Sequence, residues 1–264
     1  MFSGFNVKLD KKTIDGDYYY EIGDEIAEEN KDTVHKNLKK YIYENDSLSG
    51  SQIETDWFPE IEADIFLSHS HADEDLVISF SGWLYEIFGL RTFIDSMVWG
   101  HSNDLLRKID NRYCLKTPRS YSYEKRNFST SHVHMMLSVA LTKMIDKCES
   151  VFFVNTPNSI TVSKNIKAAD YTFSPWIYAE IEMTRMIRRK KLSEYRPMGK
   201  MVHDSKYALN ENLRIHYDIS LDHLIELSND DLSTWEERVR KSACAQPMDE
   251  LYRITRIWGG NVNG

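Results

Sequence analysis

Glu180 is the residue whose sequence surroundings point most directly to chemistry. The segment Ser174-Pro175-Trp176-Ile177-Tyr178-Ala179-Glu180-Ile181-Glu182-Met183 opens as a helix should, with a capping serine and a proline at the first helical position. On helical periodicity Trp176, Glu180, Met183 and Ile187 share a face, flanked by Ile177, Ile181 and Thr184. Glu180 therefore interrupts an apolar stripe, where a carboxylate loses its hydration unless it is hydrogen-bonded or used. Glu182 falls on another side, toward Arg185 and Met186, and reads as a solvated surface carboxylate. Periodicity leaves two roles open for Glu180, a structural bond to a backbone N–H or a catalytic one. A second group of chemistry-bearing residues, Ser68-His69-Ser70-His71-Ala72-Asp73-Glu74, follows an apolar run. Imidazoles and a carboxylate at a strand end are the ligand types that zinc takes.

The elements that must position these residues alternate in kind. Ala63-Asp64-Ile65-Phe66-Leu67-Ser68, Leu90-Arg91-Thr92-Phe93-Ile94-Asp95 and Ser150-Val151-Phe152-Phe153-Val154-Asn155 are short β-type runs. Helical patterns lie between them, with Leu76, Val77, Phe80, Leu84, Ile87 and Phe88 as one stripe and Met136, Leu137, Ala140, Leu141, Met144 and Ile145 as another. Leu213 to Ile219 reads as a later strand, and Leu232 to Lys241 as an acidic helix. Such alternation implies an α/β fold, a flavodoxin-like parallel sheet with helices on both faces. Ligands of such sheets gather beyond the carboxyl ends of the strands, which singles out the loops after Ser68, Asp95 and Asn155. Residues 1–60 read as an N-terminal, largely helical extension ending in a linker at 46–51. Residues 61–245 read as the main domain, with polar insertions near 101–131 (holding a short helix near Leu105) and 156–173, and 246–264 as a C-terminal tail.

Composition narrows the function classes. The 264 residues are 41% hydrophobic and 28% charged, enough to fill a core. A formal charge of -8 and a pI near 5.6 disfavour nucleic-acid binding, which rests on phosphate neutralisation. The basic run at Arg185, Arg188, Arg189, Lys190 and Lys191 suits a solvated helix end. No apolar run reaches the roughly 18 residues that span a bilayer, and the acidic first residues do not resemble a secretory signal. Three scattered cysteines, Cys114, Cys148 and Cys244, do not suggest disulfides or a Cys-based zinc site. A cytoplasmic protein without nucleic-acid or membrane partners is expected.

Three segments together resemble the TIR domain family: Asp64-Ile65-Phe66-Leu67-Ser68-His69-Ser70, then Phe93-Ile94-Asp95 with Gly100 beyond, then Ser174-Pro175-Trp176 with Glu180 four residues past the tryptophan. The resemblance covers about 63–228. It departs from the family in the altered loop Ser96-Met97-Val98-Trp99 and in the two insertions. It implies cleavage of NAD+ at the nicotinamide–ribose bond, by hydrolysis or cyclisation, with Glu180 as the catalytic carboxylate. Ser68, His69, Ser70, Asp95, Trp99 and Trp176 would line the substrate pocket. NAD+ is then a substrate, and no cofactor or metal is expected. The resemblance further implies self-association through TIR contacts, an immune, cell-death or anti-phage setting, and a downstream effector that senses a nucleotide product. It equally admits a non-catalytic adaptor acting through TIR–TIR assembly. A more distant alternative is a metal-dependent hydrolase. His69, His71 and Asp73 are similar to the His-x-His-x-Asp-His motif of metallo-β-lactamase-like enzymes, but Glu74 stands where the last histidine belongs.

Overall fold

The computed structural model describes residues 1–9, 14, 17–31, 48–118, 120–162, 170–195, 217–241 and 246–257. In chain order the first elements are β1 (Ser3–Val7), α1 (Asp17–Lys31), α2 (Gly50–Trp57), β2 (Ile65–Ser68), α3 (Glu74–Phe88), β3 (Thr92–Ile94) and α4 (Ser96–Ile109). There follow β4 (Leu115–Thr117), β5 (Ser120–Tyr121), α5 (Tyr123–Lys147), β6 (Ser150–Val154), β7 (Tyr171–Thr172) and α6 (Pro175–Met186). The last are β8 (Tyr217–Asp218), β9 (Ile225–Leu227), α7 (Asn229–Lys241) and α8 (Pro247–Ile254).

A five-stranded sheet in the order β3-β2-β6-β1-β9 runs through the centre, and every pairing in it is parallel. β2, β3 and β6 are short and largely apolar because both faces are covered. On one face Phe5, Val7, Leu67, Phe152 and Leu227 meet α3, α7 and α8 through Phe80, Trp83, Trp235 and Tyr252. On the other, Phe66, Phe93 and Val151 meet α2, α4 and α5 through Ile53, Trp57, Leu105, Leu137 and Leu141. Phe153 continues that second face toward Ile177 and Ile181 of α6. Fully burying one such aromatic or aliphatic side chain is worth about 1.5–3 kcal/mol, so these layers dominate the stability.

The α/β class and the two covered faces are as the alternation of runs predicts. Three divisions of the chain differ. Residues 1–60 are not set apart from the core, because β1 sits between β6 and β9, with Phe5 and Val7 fully buried. α1 lies along α3 so closely that a Cβ at Gly82 would run into the Tyr19 carbonyl and one at Gly23 into that of Ile78. Residues 101–131 are chiefly helix: α4 ends in a π-type turn (Asp110–Cys114), and a small hairpin, β4–β5, leads into α5, capped by Ser122 accepting from Lys125 N. Residues 246–257 are no loose tail, since Leu251 and Tyr252 of α8 are fully buried and the Tyr252 hydroxyl donates to Glu149 at 2.8 Å. Of the expected strand at 213–219 the described part is β8, paired antiparallel with β7.

Candidate functional site

The chain turns outward from β2 to β3 by way of α3 on one face, and from β6 to β9 by way of α6 on the other. Between β2 and β6 the connections therefore diverge, leaving the kind of crevice in which parallel α/β sheets hold ligands. β2 ends in Ser68, registered with Phe153 of β6. β3 ends at Ile94, so Asp95 opens α4 and caps it, accepting from Ser96 N at 2.8 Å. α6 starts at Ser174, whose Oγ accepts from Ile177 N, and Pro175 holds the first position. Its second turn brings Glu180 over the crevice.

Four polar side chains meet there, and all are buried: Ser68, His69, Asp95 and Glu180 are between 1% and 4% exposed. The Ser68 hydroxyl donates to Glu180 Oε2 at 2.6 Å. Glu180 Oε1 receives no hydrogen bond, and the Asp95 carboxyl lies beside it. His69 Nδ1 stands 2.6 Å from Asp95 Oδ1, an ion-pair contact that is not aligned as a hydrogen bond, and its Nε2 has no partner. Burial first, and the neighbouring Asp95 charge second, push Glu180 well above the usual carboxylate range, against the pull of the Ser68 hydroxyl. For His69 burial works against the imidazolium, but Asp95 outweighs it and the net shift is upward. A neutral Glu180 beside an Asp95–imidazolium pair is the protonation pattern these shifts favour, because two bare carboxylates in contact would repel.

Ser68, His69, Asp95 and Glu180 thus converge as expected. Ser70 does not join them; it precedes a one-turn helix over His71–Asp73 and is only part-buried. Trp176 shares Glu180's side of the helix, and its ring meets His134 of α5 edge-on, with centroids 5.6 Å apart. One turn separates a position against α5 from a position over β2. Trp99 falls within α4, but its side chain lies outside what the structure describes. Glu182 is a third exposed and faces Arg185 at 3.5 Å, as its phase on the helix predicts.

The three residues of the metal-ligand alternative face different partners. His71 is 84% exposed and faces Glu74, and His69 faces Asp95. Asp73 is buried and accepts from Thr156 Oγ1 at 2.5 Å and Asn158 Nδ2 at 2.8 Å. Among the described residues no three such groups gather as a metal site would need. What sequence reading missed is this role of Asp73, which ties the loop after β2 to the loop after β6. The signal was available in Thr156 and Asn158, small polar residues just beyond a strand end.

No family model matches this chain. Nor does any curated protein or solved structure. Its site is therefore read from its own geometry.

A broad hollow on the carboxyl edge lies away from Glu180. A groove of about 1070 Å³ opens further along, over β1 and β9, and Glu180 is absent from its lining. The Glu180 cluster carries the more perturbed chemistry, and we assign the candidate site to it; the groove is a separate feature. Among the described residues no helix is long and apolar enough to cross a membrane.

Proposed function

We propose that this protein cleaves NAD+ at the nicotinamide–ribose bond, with Glu180 as the carboxylate that stabilises the ribosyl cation. The observation that carries the reading is the burial of Glu180 against Ser68 and Asp95 at the divergence point of a parallel sheet. The TIR resemblance of the segments around Ser68, Asp95 and Glu180 supports the same reading.

In the proposed reaction the glycosidic C–N bond breaks and its electron pair stays on the pyridine nitrogen. Nicotinamide leaves neutral, so no strong acid is required. The sugar carbon becomes oxocarbenium-like, as in glycoside cleavage, and a preorganised carboxylate lowers that barrier electrostatically. Water then attacks the carbon and gives up a proton, yielding ADP-ribose; an internal nucleophile in its place yields a cyclic product. Glu180 serves in its anionic form, and the enclosed geometry favours the neutral one. A cationic nicotinamide ring beside it reverses that preference, so binding of substrate and ionisation of Glu180 reinforce each other. Asp95 and His69 hold the carboxyl in place, and Ser68 directs one of its oxygens.

A non-catalytic adaptor is the second reading, favoured by the same enclosure: Glu180 is 1% exposed. Incubating the purified protein with NAD+ at low and high concentration, beside Glu180→Gln, separates the two. Glu180-dependent nicotinamide release is expected, and the accompanying nucleotide distinguishes hydrolysis from cyclisation. A rise in specific activity with protein concentration would mark self-association. Absence of release at every concentration leaves the adaptor. Self-association, a cytoplasmic setting, immune or anti-phage signalling and an effector that reads the product belong to this proposal as consequences of the TIR resemblance.

A further inference from the structure

Charge is spread unevenly over this acidic chain. α1 carries six carboxylates to one lysine. Residues 112–126, over the β4–β5 hairpin and the start of α5, hold five basic residues to one carboxylate. The close approach of Gly23 and Tyr19 to α3 fixes the inner face of α1, so its acidic residues are held outward. Asp17, Glu21 and Glu25 are exposed and stand four apart, in a line along one side of the helix. Like charges at that spacing repel, and among the described residues none of the three has a basic partner. The ion pair of α1 with Arg91, at 3.9 Å, is made by Glu29, past the end of the line.

The hairpin has the opposite make-up. Leu115 of β4 and Tyr121 of β5 are cross-strand partners and both are exposed. Tyr123 and Phe128, at the start of α5, are 78% and 71% exposed. Exposed apolar side chains grouped in this way mark an interaction surface. Arg126 is held by buried Asp110 at 2.8 Å and lies over the Tyr121 ring. Lys116 and Lys125 are exposed and reach no carboxylate among the described residues. Lys125 and Phe128, three apart, share a side of α5. An anionic lipid or a nucleic acid would match the hairpin but leave the acidic line of α1 unmatched, whereas a second copy of the chain matches both. Two copies of a chain with formal charge -8 repel on average. Attraction is therefore confined to surfaces whose signs oppose, and that restriction also sets their orientation. Exposed Tyr18, beside Asp17, offers the aromatic side chains of the hairpin an apolar contact.

We propose that the β4–β5 hairpin of one copy docks on the acidic face of α1 of a second copy, with Lys116 and Lys125 set against Asp17, Glu21 and Glu25. Both surfaces lie outside the segments that resemble a TIR domain, and neither depends on Glu180 being catalytic. The test is sedimentation velocity of the full chain at low and high concentration, in low and high salt. Wild type should self-associate, more weakly in high salt. Two double variants, Lys116→Glu with Lys125→Glu and Glu21→Lys with Glu25→Lys, should each associate at least about tenfold more weakly. An equal mixture of the two should associate again, because each reversed surface then meets its opposite. All four positions are exposed, so the variants should keep the wild-type circular dichroism and melting temperature. A wild type that stays monomeric under every condition overturns the proposal; binding of that monomer to anionic phospholipid vesicles or to an oligonucleotide, lost with the lysine pair, would reassign the hairpin. A folded double variant that associates like wild type overturns it as well, as does a mixture of folded variants that stays apart. Nicotinamide release is measured separately, so failure here leaves the reading of Glu180 standing.

Discussion

The two polar regions on the carboxyl edge of the sheet share a rung, with Ser68, Phe153, Asn6 and Glu226 in register, but solve opposite problems. At the Glu180 crevice, four ionisable or hydroxyl groups are almost wholly removed from water and crowd against each other, with Glu180 Oε1 and His69 Nε2 left without a hydrogen bond. At the groove, polar groups are spread over a broad opening, where Asn155 donates to Asn6. Burial shifts protonation in the first; in the second the polar groups stay open to solvent. The contrast shows that an open hollow and the most perturbed chemistry need not coincide. Asp73 joins the regions, reaching from the loop that carries His69 to Thr156 at the groove's edge.

Four experiments would break or sharpen this contrast. The largest effect is expected for Glu180→Gln, which should lower NAD+ cleavage by at least about 100-fold while the fold is kept; product analysis on folded variant decides it, and undiminished turnover would sink the assignment. Next, Asp95→Asn removes the counter-charge of buried His69 and should destabilise by about 3 kcal/mol, read from denaturant unfolding. A change within a few tenths would mean the cluster is not held by that ion pair. Asp73→Ala should cost about 2 kcal/mol through two lost hydrogen bonds to a charged acceptor. It should also speed amide exchange at Asn158, whereas unchanged exchange would mean that the two loops are independent. The smallest effect is reserved for Glu182→Gln, expected to be silent in both stability and turnover; a large loss of activity would transfer the catalytic role to Glu182.

The protonation of the crevice gives a pH signature as well. Glu180 and His69 both have folded pKa values raised above their ordinary 4.5 and 6.5. Each therefore contributes stability that is fully present below the ordinary value and is lost as pH rises through the folded one. Wild-type melting temperature should fall across that window, and Glu180→Gln, which cannot ionise, should fall less. Parallel curves for the two proteins would contradict a neutral, enclosed Glu180. The same window predicts that loosening of the crevice, and with it access of substrate, is favoured on the alkaline side.

The site was more legible than the chain around it. Glu180 could be found because a carboxylate on an apolar stripe is a visible anomaly, and Ser68 and Asp95 because strand ends in parallel sheets are marked by the last apolar residue before a polar one. The pocket role of Trp176 came from the resemblance, and the contact the structure shows for its ring is with His134 of α5. β2, β3 and β6 could be read as apolar runs. β1 could not: Ser3-Gly4-Phe5-Asn6-Val7 alternates apolar with small or polar residues, and only its partners make it a central strand. The span over α4 and the start of α5 reads as a polar insertion because those helices bury single narrow faces, with Leu105, Ile109 and Val133 as widely spaced anchors.

The place of β1 has a consequence for how the molecule is made. Ser3 bonds Ser150 across 147 positions of sequence, and β9 lies further still. During synthesis the first strand emerges long before either neighbour exists, so its two edges must remain unpaired while most of the chain is produced. Closing so large a loop is a slow step, because its entropy must be spent before the contacts repay it. Unpaired strand edges are also the groups most prone to pair with another chain. The last act of assembly is therefore the insertion of β1, a strand made well before its neighbours, and refolding should be rate-limited by its arrival between β6 and β9.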